Sequence, residues 1–391
     1  MKCEWDKIQI GDLGTIVTGK TPSTKKSEYW GGTVPFVTPK DLQGTKHIFQ
    51  TERSITDIGM ENVKGSKLPP NAICVSCIGN IGYVGVTTKS CISNQQINSI
   101  VANKNYDVNY IYYLMKSLWP FFKNYEGQST TLSILNKTQF SKIEIQVPKF
   151  EIQKRIAGIL SLLDDKIELN NKINENLYEM VNTYYKSIFK NLTGNLTTIG
   201  SYSERIYSGG TPTTSNVAYW NGDLSWLSSG ESRNRFITST EKTITQLGVD
   251  NSSTKLAKKY DIVMASAGQG FTRGQTSMLL LDTYVNQSVI VIHAERNVLP
   301  YLFWNLANRY GELRAISDSS SIRGSLTTKM ISAFQIPLAN ESDLEAFSDF
   351  AWSVIPQIEN NLLENKRLSV MRNSLLPKLM SGEIDVEDVK I

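Results

Sequence analysis

The sequence predicts an α/β (α+β) protein in which two homologous mixed α/β domains alternate with two long helices. We expect the helices to pair as an antiparallel coiled coil and the whole chain to be pseudo-twofold symmetric. Three observations predict this fold class: an internal duplication, short β-branched segments in each copy, and an apolar stripe near the end of each copy. A chain of 391 residues is long enough for two or three domains with substantial cores.

The duplication is visible in one long stretch. GKTPSTKKSEYWGGTVPF at Gly19–Phe36 resembles GGTPTTSNVAYWNGDLSW at Gly209–Trp226, about 190 residues later. Further segments recur in the same order at nearly the same offset, such as ICVSCIGNIGYVG (Ile73–Gly85) and IVMASAGQGFTRG (Ile262–Gly274). A unit of this length is much longer than a solenoid repeat, so we expect two domain-sized copies.

The first part of each copy has the pattern of a mixed α/β domain. Short runs of β-branched and aromatic residues, such as AICVSCIG and DIVMASAG, are separated by Gly, Pro, Asn and Ser. This pattern is typical of strands joined by turns. The segments YIYYLMKSLWPFF and YLFWNLANRYGEL are predicted to be short helices beside the sheet. We therefore expect one domain at residues 1–149 and a second at residues 193–339.

The second part of each copy is predicted to be a long amphipathic helix, over residues 150–192 and within the C-terminal segment 340–391. Apolar residues recur there at spacings of three and four. The first stripe consists of Ile152, Ile156, Ile159, Leu163, Ile167, Asn170, Leu177, Met180 and Tyr184. The second stripe consists of Ile358, Leu362, Asn365, Leu368, Met371 and Leu375.

Each stripe calls for a partner helix. At 1.5 Å per residue, about 38 residues span roughly 55–60 Å, and such an apolar face does not stay in water. Pairing between the two helices is favoured, and packing of each helix only within its own domain is the alternative. Pro356 is expected to kink or break the second helix, and Pro377 to end it or kink it again.

One short motif suggests a nucleotide hydrolase. Gly14–Thr21 fits G-x-x-x-x-G-K-[ST], the phosphate-binding loop. However, Gly210 stands in the second copy where Lys20 stands in the first, and Pro22 disfavours the helix that should begin at Thr21. We interpret the stretch as a strand followed by a turn, and a P-loop hydrolase remains an alternative.

Other chemical motifs are weak. Cys74–Cys77 forms a C-x-x-C, but the second copy reads VMAS, and the only histidines are His47 and His293. The Asn-Pro-Pro-Tyr type motif of an adenine methyltransferase is absent from the sequence. The sequence therefore favours a protein without metal, cofactor or catalytic residues of its own.

The composition indicates which class of protein to expect and in which cell compartment. Charged residues make up 20% of the chain and the net charge is +4, so any contact with DNA has to come from local basic patches. No run approaches the roughly 18 apolar residues of a membrane span. Four cysteines in 391 residues indicate no disulfide framework. We expect a cytoplasmic protein with no membrane contact.

Taken together, the motifs resemble those of Type I restriction-modification specificity subunits over essentially the whole chain. The resemblance is carried by G-K-T-P-S…Y-W-G-G…P-F-V-T-P-K-D-L (Gly19–Leu42) and its copy at Gly209–Gly230. V-P-K-F-E-I-Q-K-R-I-A-G-I-L (Val147–Leu160) is similar to the entry into the family's central helix, and L-L-P-K-L-M-S-G-E-I (Leu375–Ile384) to its C-terminal end.

This resemblance implies a non-catalytic, DNA-reading scaffold. Each α/β domain would be a target recognition domain that reads one half of a bipartite, asymmetric site in double-stranded DNA. The helices would act as a spacer on which two modification methyltransferase subunits dock, joined by restriction/translocase subunits. S-adenosylmethionine, ATP and Mg would then bind to the partner subunits. A helical adaptor that reads no DNA is the alternative.

Candidate DNA-contacting residues lie in polar and basic loops. In the first domain they are Lys20, Thr21, Ser23, Lys25, Lys26, Thr38, Lys40, Ser76 and Asn80. In the second domain they are Thr211, Thr213, Ser229, Arg233, Arg235, Gln269 and Arg273. SRNRF (Ser232–Phe236) is the favoured segment, because paired arginines suit guanine edges or phosphates. The recurring aromatics Tyr29, Trp30, Tyr219 and Trp220 are expected to pack rather than to stack on bases.

Overall fold

The computed structural model of the chain describes residues 5–44, 46–127, 133–189, 194–268, 272–319 and 324–389. The chain divides into two compact units. The first unit is Met1–Leu169 with Asn365–Ile391, and the second is Asn170–Glu364. Each unit contains one α/β domain and a part of each long helix.

The first α/β domain is built from short strands and helices. Its strands are β1 (Asp6–Gln9), β2 (Gly14–Thr18), β3 (Trp30–Val37), β4 (His47–Ile48), β5 (Arg53–Ile55), β6 (Lys67–Leu68), β7 (Ile73–Ser76), β8 (Val84–Thr87), β9 (Cys91–Ser93), β10 (Ile97–Ala102) and β11 (Glu144–Val147). Its α-helices are α1 (Asp57–Asn62), α2 (Val108–Ser117), α3 (Trp119–Gly127) and α4 (Lys137–Ser141). The sheets have the strand orders β2-β10-β7-β8-β4, β5-β3-β9-β6 and β1-β11.

The second α/β domain repeats this arrangement. Its strands are β12 (Leu196–Thr198), β13 (Arg205–Ser208), β14 (Trp220–Leu227), β15 (Phe236–Ile237), β16 (Lys242–Ile244), β17 (Lys255–Ala257), β18 (Ile262–Ala265), β19 (Thr276–Leu279), β20 (Thr283–Val285), β21 (Val289–His293) and β22 (Gln335–Pro337). The sheet orders are β13-β21-β18-β19-β15, β16-β14-β20-β17 and β12-β22, which match the first domain strand for strand. Both domains mix parallel and antiparallel pairs, so the predicted duplication of a mixed α/β domain is confirmed.

Alternating side chains of the central strands fill two separate cores. Ile73 and Val75 of β7 pack with α2, whereas Cys74 between them lies in a second core with Val37. Because both faces of the strand are buried, its first three residues are all apolar rather than alternating with polar ones. In the second domain β18 has the same position and the same continuous burial.

The helices beside the second sheet follow the same plan. They are α6 (Ile199–Tyr202), α7 (Gln246–Asp250), α8 (Leu299–Asn308), α9 (Tyr310–Ser319) and α10 (Thr328–Ser332). The two segments predicted as short helices beside the sheet each form a pair of consecutive helices, α2 with α3 and α8 with α9. α8 is almost completely buried, and it contributes Tyr301, Phe303 and Trp304 to the core.

The two predicted long helices are confirmed as α5 (Phe150–Phe189) and α11 (Glu341–Met380), each 40 residues long. In the first unit Ile156 and Leu160 of α5 share a core with Leu376 and Leu379 of α11. α11 is unbroken at Pro356 and continues past Pro377 to end at Met380, so neither proline breaks the helix; of the expected alternatives, a kink at each proline stays a prediction. A proline removes one backbone hydrogen bond, which a helix held by tertiary packing tolerates.

Contacts inside the second unit show that α5 and α11 run in opposite directions. Near the start of the α5 segment that belongs to this unit, the side-chain amide of Asn170 donates to Glu364 of α11 at 2.7 Å. Near its end, the Tyr184 ring lies 4.9 Å from the ring of Phe350. The residue number falls along α11 as it rises along α5, which is antiparallel pairing.

The second half of α5 is buried on a face that the sequence periodicity missed. The buried apolar residues of this part are Tyr178, Val181, Tyr185 and Phe189. Tyr178 stacks on Trp304 of α8 at 5.7 Å, whereas Tyr184 contacts α11. Met180, which the periodicity placed on the stripe, is exposed. This part of α5 packs against its own domain and against α11, so a single stripe describes only one of its two buried faces.

Candidate nucleic-acid interface

Three loops of the first domain converge on one surface. They are residues 19–26, 38–42 and 93–96. The Lys20 amide donates to the Ser93 carbonyl at 2.9 Å, and the Asn94 amide donates to the Val37 carbonyl at 2.9 Å. Two loops far apart in sequence are thus bonded to the turn between β9 and β10. We call this the three-loop surface of the first domain.

The second domain has the same three-loop surface, formed by residues 209–216, 228–233 and 285–288. The Gly210 amide donates to the Val285 carbonyl at 3.1 Å, and the Asn286 amide donates to the Leu227 carbonyl at 3.1 Å. The backbone framework is therefore shared by the two domains, while most exposed side chains on it differ.

A capped 3-10 turn shapes the middle loop of each surface. The Thr38 amide and hydroxyl both donate to the Asp41 carboxylate, each at 2.7 Å, which anchors the turn Pro39–Leu42. Ser228 and Glu231 make the same two bonds in the second domain, at 2.9 and 3.1 Å. The hydroxyl of Thr38 is consequently committed to this cap.

A tryptophan holds the first loop of each surface in place. The Trp30 indole N–H donates to the Ser23 carbonyl at 3.2 Å, and the Arg53 guanidinium lies 3.8 Å from the centre of the Trp30 ring. Trp220 donates in the same way to the Thr213 carbonyl at 3.2 Å. In both domains this aromatic acts in packing, as the sequence led us to expect.

The candidate DNA-contacting residues of the first domain differ in the solvent exposure of their side chains. Lys20, Ser23, Lys25, Lys26, Lys40 and Asn80 are exposed. Two of the lysines have partners: Lys26 donates to the Tyr29 hydroxyl at 3.1 Å, which raises the pKa of Lys26, and Lys40 lies 3.3 Å from Glu52. These pairs are exposed to solvent and contribute little to stability, so the lysines are available to phosphates.

Two other first-domain candidates are committed to the fold. The Ser76 hydroxyl is buried, donates to the Asn80 carbonyl at 2.6 Å and accepts from the Tyr83 amide at 2.9 Å. The Thr21 hydroxyl donates to the Gln95 side chain at 2.5 Å. Ser76 therefore shapes the loop between β7 and β8, and Thr21 fixes the orientation of a neighbouring amide.

In the second domain, Thr213, Arg233 and Arg235 are exposed and Ser229 is half-buried. Arg233 lies on the three-loop surface and bonds Glu241 at 2.7 Å. Arg235 lies elsewhere, against α5. Arg273 is buried and bonds Asp318 and the Gly324 carbonyl.

Two candidates of the second domain remain. The Thr211 hydroxyl donates to the Gln287 side chain, which repeats the contact between Thr21 and Gln95. Gln269 lies outside the described residues.

The structure adds residues that the candidate sets do not contain. Gln95 and Gln287 are exposed at the tips of equivalent turns, and each accepts a hydrogen bond from a threonine hydroxyl. Asn94 and Asn286 precede them and accept a backbone N–H two residues on, at 3.1 and 3.0 Å. The Asn-Gln pair recurs in both copies of the sequence, and this recurrence could have pointed to these residues before the structure was known.

The first half of the chain matches a known family. Residues 2–179 match the Type I restriction modification DNA specificity domain. Residues 2–179 of this chain therefore carry a Type I restriction modification DNA specificity domain. It is similar over 99% of its length, at 25% identity, to the Type I restriction enzyme MjaIX specificity subunit of Methanocaldococcus jannaschii, covering 95% of that relative.

Two further proteins named as specificity or S subunits are similar to this chain. The HindI specificity subunit of Haemophilus influenzae is 35% identical over 44% of this chain and 39% of its own length. The crystal structure of a Type I restriction-modification S subunit from M. genitalium matches at a TM-score of 0.59 and 16% identity, covering 97% of this chain and 96% of that one. The similarity to the M. genitalium structure shows a shared fold.

The stretch that resembles a phosphate-binding loop is a strand and a turn. Gly14–Thr18 forms β2, and the next helical residues after it are the 3-10 turn Ser27–Tyr29, so no helix begins at Thr21. The amides of Gly19 and Lys20 donate to main-chain carbonyls at 3.0 and 2.9 Å. They are therefore not directed at a phosphate, as the amides of a working loop are.

The two thiols of the C-x-x-C motif are core groups. Cys74 and Cys77 are buried, and burial raises the pKa of each to about 12. A thiol with so high a pKa is neither a good nucleophile nor a ready metal ligand. In the part of the chain that the structure describes, no group of three or more His, Cys, Asp or Glu could hold a metal ion. Nor does any described helix have the length and hydropathy of a membrane span. The domain model that matches residues 2–179 is named for DNA specificity.

Proposed function

We propose that this chain is a Type I restriction-modification specificity subunit and that it reads a bipartite site in double-stranded DNA, with residues 1–149 and 193–339 each reading one half. The observation that carries the proposal is the three-loop surface, which has one backbone framework and two sets of exposed side chains. Lys20, Ser23 and Lys25 in the first domain correspond to Gly210, Thr213 and Ser215 in the second. Different groups on equivalent frameworks favour two different half-sites and hence an asymmetric site.

The groups on these surfaces suit groove contacts. Hydroxyls, amides and arginine guanidinium groups match the donors and acceptors of base edges, and lysines match phosphates. Gln95 and Gln287 each present a primary amide, the group that pairs with adenine in the major groove. The phosphate contacts would position each domain and the base contacts would select the sequence.

The long helices, in residues 150–192 and 340–391, would set the distance between half-sites and bind the partner subunits. α5 carries four exposed apolar residues at helical spacing, namely Leu162, Leu169, Ile173 and Met180. Exposed apolar side chains in a row are typical of protein contact surfaces. We propose that two modification methyltransferase subunits dock there and that restriction/translocase subunits join them. S-adenosylmethionine, ATP and Mg would bind to those partners, all in the cytoplasm.

The test is a base-resolved methylome of the host with and without this gene. We expect deletion to remove one bipartite methylated motif, because the methyltransferase loses its sequence reader. Restoring the gene should restore the same motif, which controls for secondary mutations. An unchanged methylome in a host whose methyltransferase co-purifies with this chain would contradict DNA reading and would favour an adaptor that reads no DNA.

The basic first loop of the first domain leads to a prediction about salt dependence. We expect Lys20→Gln, Lys25→Gln and Lys26→Gln together to weaken binding of the complex to its site without changing the bases selected. The slope of log K against log salt is negative, and each lost phosphate contact should reduce its magnitude by about 0.9. Fluorescence anisotropy between roughly 50 and 200 mM salt measures this slope.

The matched control replaces three exposed lysines of the same domain that lie outside the three-loop surface. These are Lys64→Gln, Lys67→Gln and Lys137→Gln. Both triple variants lose the same net charge, so a loss of slope in the control as large as in the test variant would show that only total charge matters. The three-loop surface would then have no special part in holding DNA.

A further inference from the structure

Lys46 and Arg235 occupy equivalent positions in the two domains. Each directly precedes a two-residue edge strand, β4 or β15, that pairs in parallel with its neighbour. The Lys46 carbonyl accepts from the Val86 amide at 2.9 Å, and the Arg235 carbonyl accepts from the Met278 amide at 2.9 Å. A basic side chain thus stands at the same edge of both five-stranded sheets.

In the first unit, this basic side chain is directed onto α5. The Lys46 ammonium donates to the Ser161 hydroxyl at 2.9 Å and lies 5.1 Å from the centre of the Tyr113 ring. Lys46 is only 4% exposed. Burial lowers the pKa of Lys46, and the carboxylates of Asp165 and Asp164 oppose that shift.

The next residue along β4 makes a second contact with α5. His47 lies with its Nδ1 3.2 Å from a Glu168 carboxylate oxygen, and its main-chain amide donates to the other oxygen at 3.3 Å. Ser161 and Glu168 are seven residues apart and therefore lie on one face of the helix. Two points on this face thus hold the edge of the first sheet.

In the second unit, Arg235 makes the corresponding contact. Its guanidinium donates to Glu175 of α5 at 2.7 Å and lies 4.2 Å from the centre of the Tyr178 ring. Glu175 and Tyr178 are three residues apart and lie on one face of α5. The side chain of Arg235 is 46% exposed, so this attachment is the more open of the two.

We propose that Lys46 and Arg235 are positioning residues that attach each recognition domain to its part of α5 and so restrict which half-site spacings the complex accepts. This inference rests on the proposed function, since it assumes that the two domains read two half-sites. β4 and β15 are short and lie at the edges of their sheets. Without these attachments, the loops that precede the two strands are held mainly by contacts within their own sheet. Each domain could then turn slightly on the helix, and the tolerated spacings would widen.

The experiment uses the complete complex of this chain with its methyltransferase partner. The substrate is a plasmid pool in which the two half-sites, taken from the methylome, are separated by spacers from two base pairs shorter to two longer than native. Lys46→Met and Arg235→Met remove the charge and keep an apolar side chain of similar length. We expect each to raise methylation at spacers one base pair off, relative to the native spacer, by about tenfold. The half-site bases should stay the same.

Two further variants separate positioning from DNA reading and from general destabilisation. Glu175→Gln removes the partner of Arg235 on the helix side and should widen the spacer profile as Arg235→Met does. Arg205→Met removes an exposed cation that lies 5.2 Å from the Tyr207 ring within the same domain, and it should leave the profile unchanged. Should Lys46→Met fail to fold, Arg235→Met and Glu175→Gln still decide the question, because both side chains are largely exposed.

The possible results have distinct meanings. An unchanged spacer profile in Arg235→Met and Glu175→Gln overturns the inference. A changed base preference in Arg235→Met, with Glu175→Gln like wild type, also overturns it and makes Arg235 a base reader. Failure of the wild-type complex to methylate any member of the pool overturns the proposed function, and the inference falls with it.

Discussion

Inserting four residues into each long helix is expected to lengthen the recognised spacer by one to two base pairs. Four residues add about 6 Å of helix. They also add about 40° of rotation beyond a full turn, close to the roughly 35° twist of one base pair. A base pair rises about 3.4 Å, so both translation and rotation of the helix correspond to a small lengthening of the DNA spacer.

The insertion points follow from the pairing of the helices within the second unit. Asn170 of α5 bonds Glu364 of α11, so insertions just before Asn170 and just after Glu364 extend both helices at the same level. Extending only one helix would place every later residue opposite the wrong partner. The methylome of a host that carries the doubly extended chain reports the new motif directly.

A seven-residue insertion at the same points is the informative comparison. It adds about 10 Å, the rise of about three base pairs, but returns the helix faces to within about 20° of their starting direction. Three base pairs twist the duplex by roughly 100°, so the two surfaces could not both face their half-sites. We expect little methylation at any spacing. A heptad variant that works well, or a four-residue variant with the native spacing, would show that the helices do not set the spacer.

Replacing Asp164 by alanine is expected to lower the free energy of unfolding by about 3–5 kcal/mol. Asp164 is 5% exposed, accepts from the Tyr113 hydroxyl at 2.7 Å and bonds Arg372 of α11. The buried Lys46 ammonium also interacts favourably with this carboxylate. Without Asp164, the Arg372 guanidinium and the Tyr113 hydroxyl lose their partner in a largely buried place, and such groups are costly to leave unpaired.

The control for this prediction is an exposed aspartate on the other long helix. Asp349 is exposed on α11, so Asp349→Ala makes the same substitution at a solvent-facing helix position and should change stability by no more than about 0.5 kcal/mol. Urea unfolding of the two variants and the wild type, followed by circular dichroism, compares them. Similar midpoints for Asp164→Ala and the wild type would show that the buried cluster contributes little to stability.

Local sequence patterns were sufficient for the architecture. The β-branched run that contains Ile73–Ser76 predicted a short strand, and the three-and-four spacing along α5 and α11 predicted two long helices. The offset of about 190 residues predicted two copies of one domain. These features depend on the period of apolar residues along a few turns or strand positions, which a single sequence displays directly.

The sequence by itself thus determined the fold class, the duplication and the helices, and the tertiary structure decided what each candidate side chain contacts. Arg233 and Arg235 are two residues apart, yet one lies on the three-loop surface and the other against α5. Ser76 and Arg273 are polar but buried in bonds to their own domains. The physical reason is clearest for Arg235 and Arg273, whose bonds to Glu175 and Gly324 join segments 60 and 51 residues apart. No local period records which distant groups meet when the sheets pair and pack.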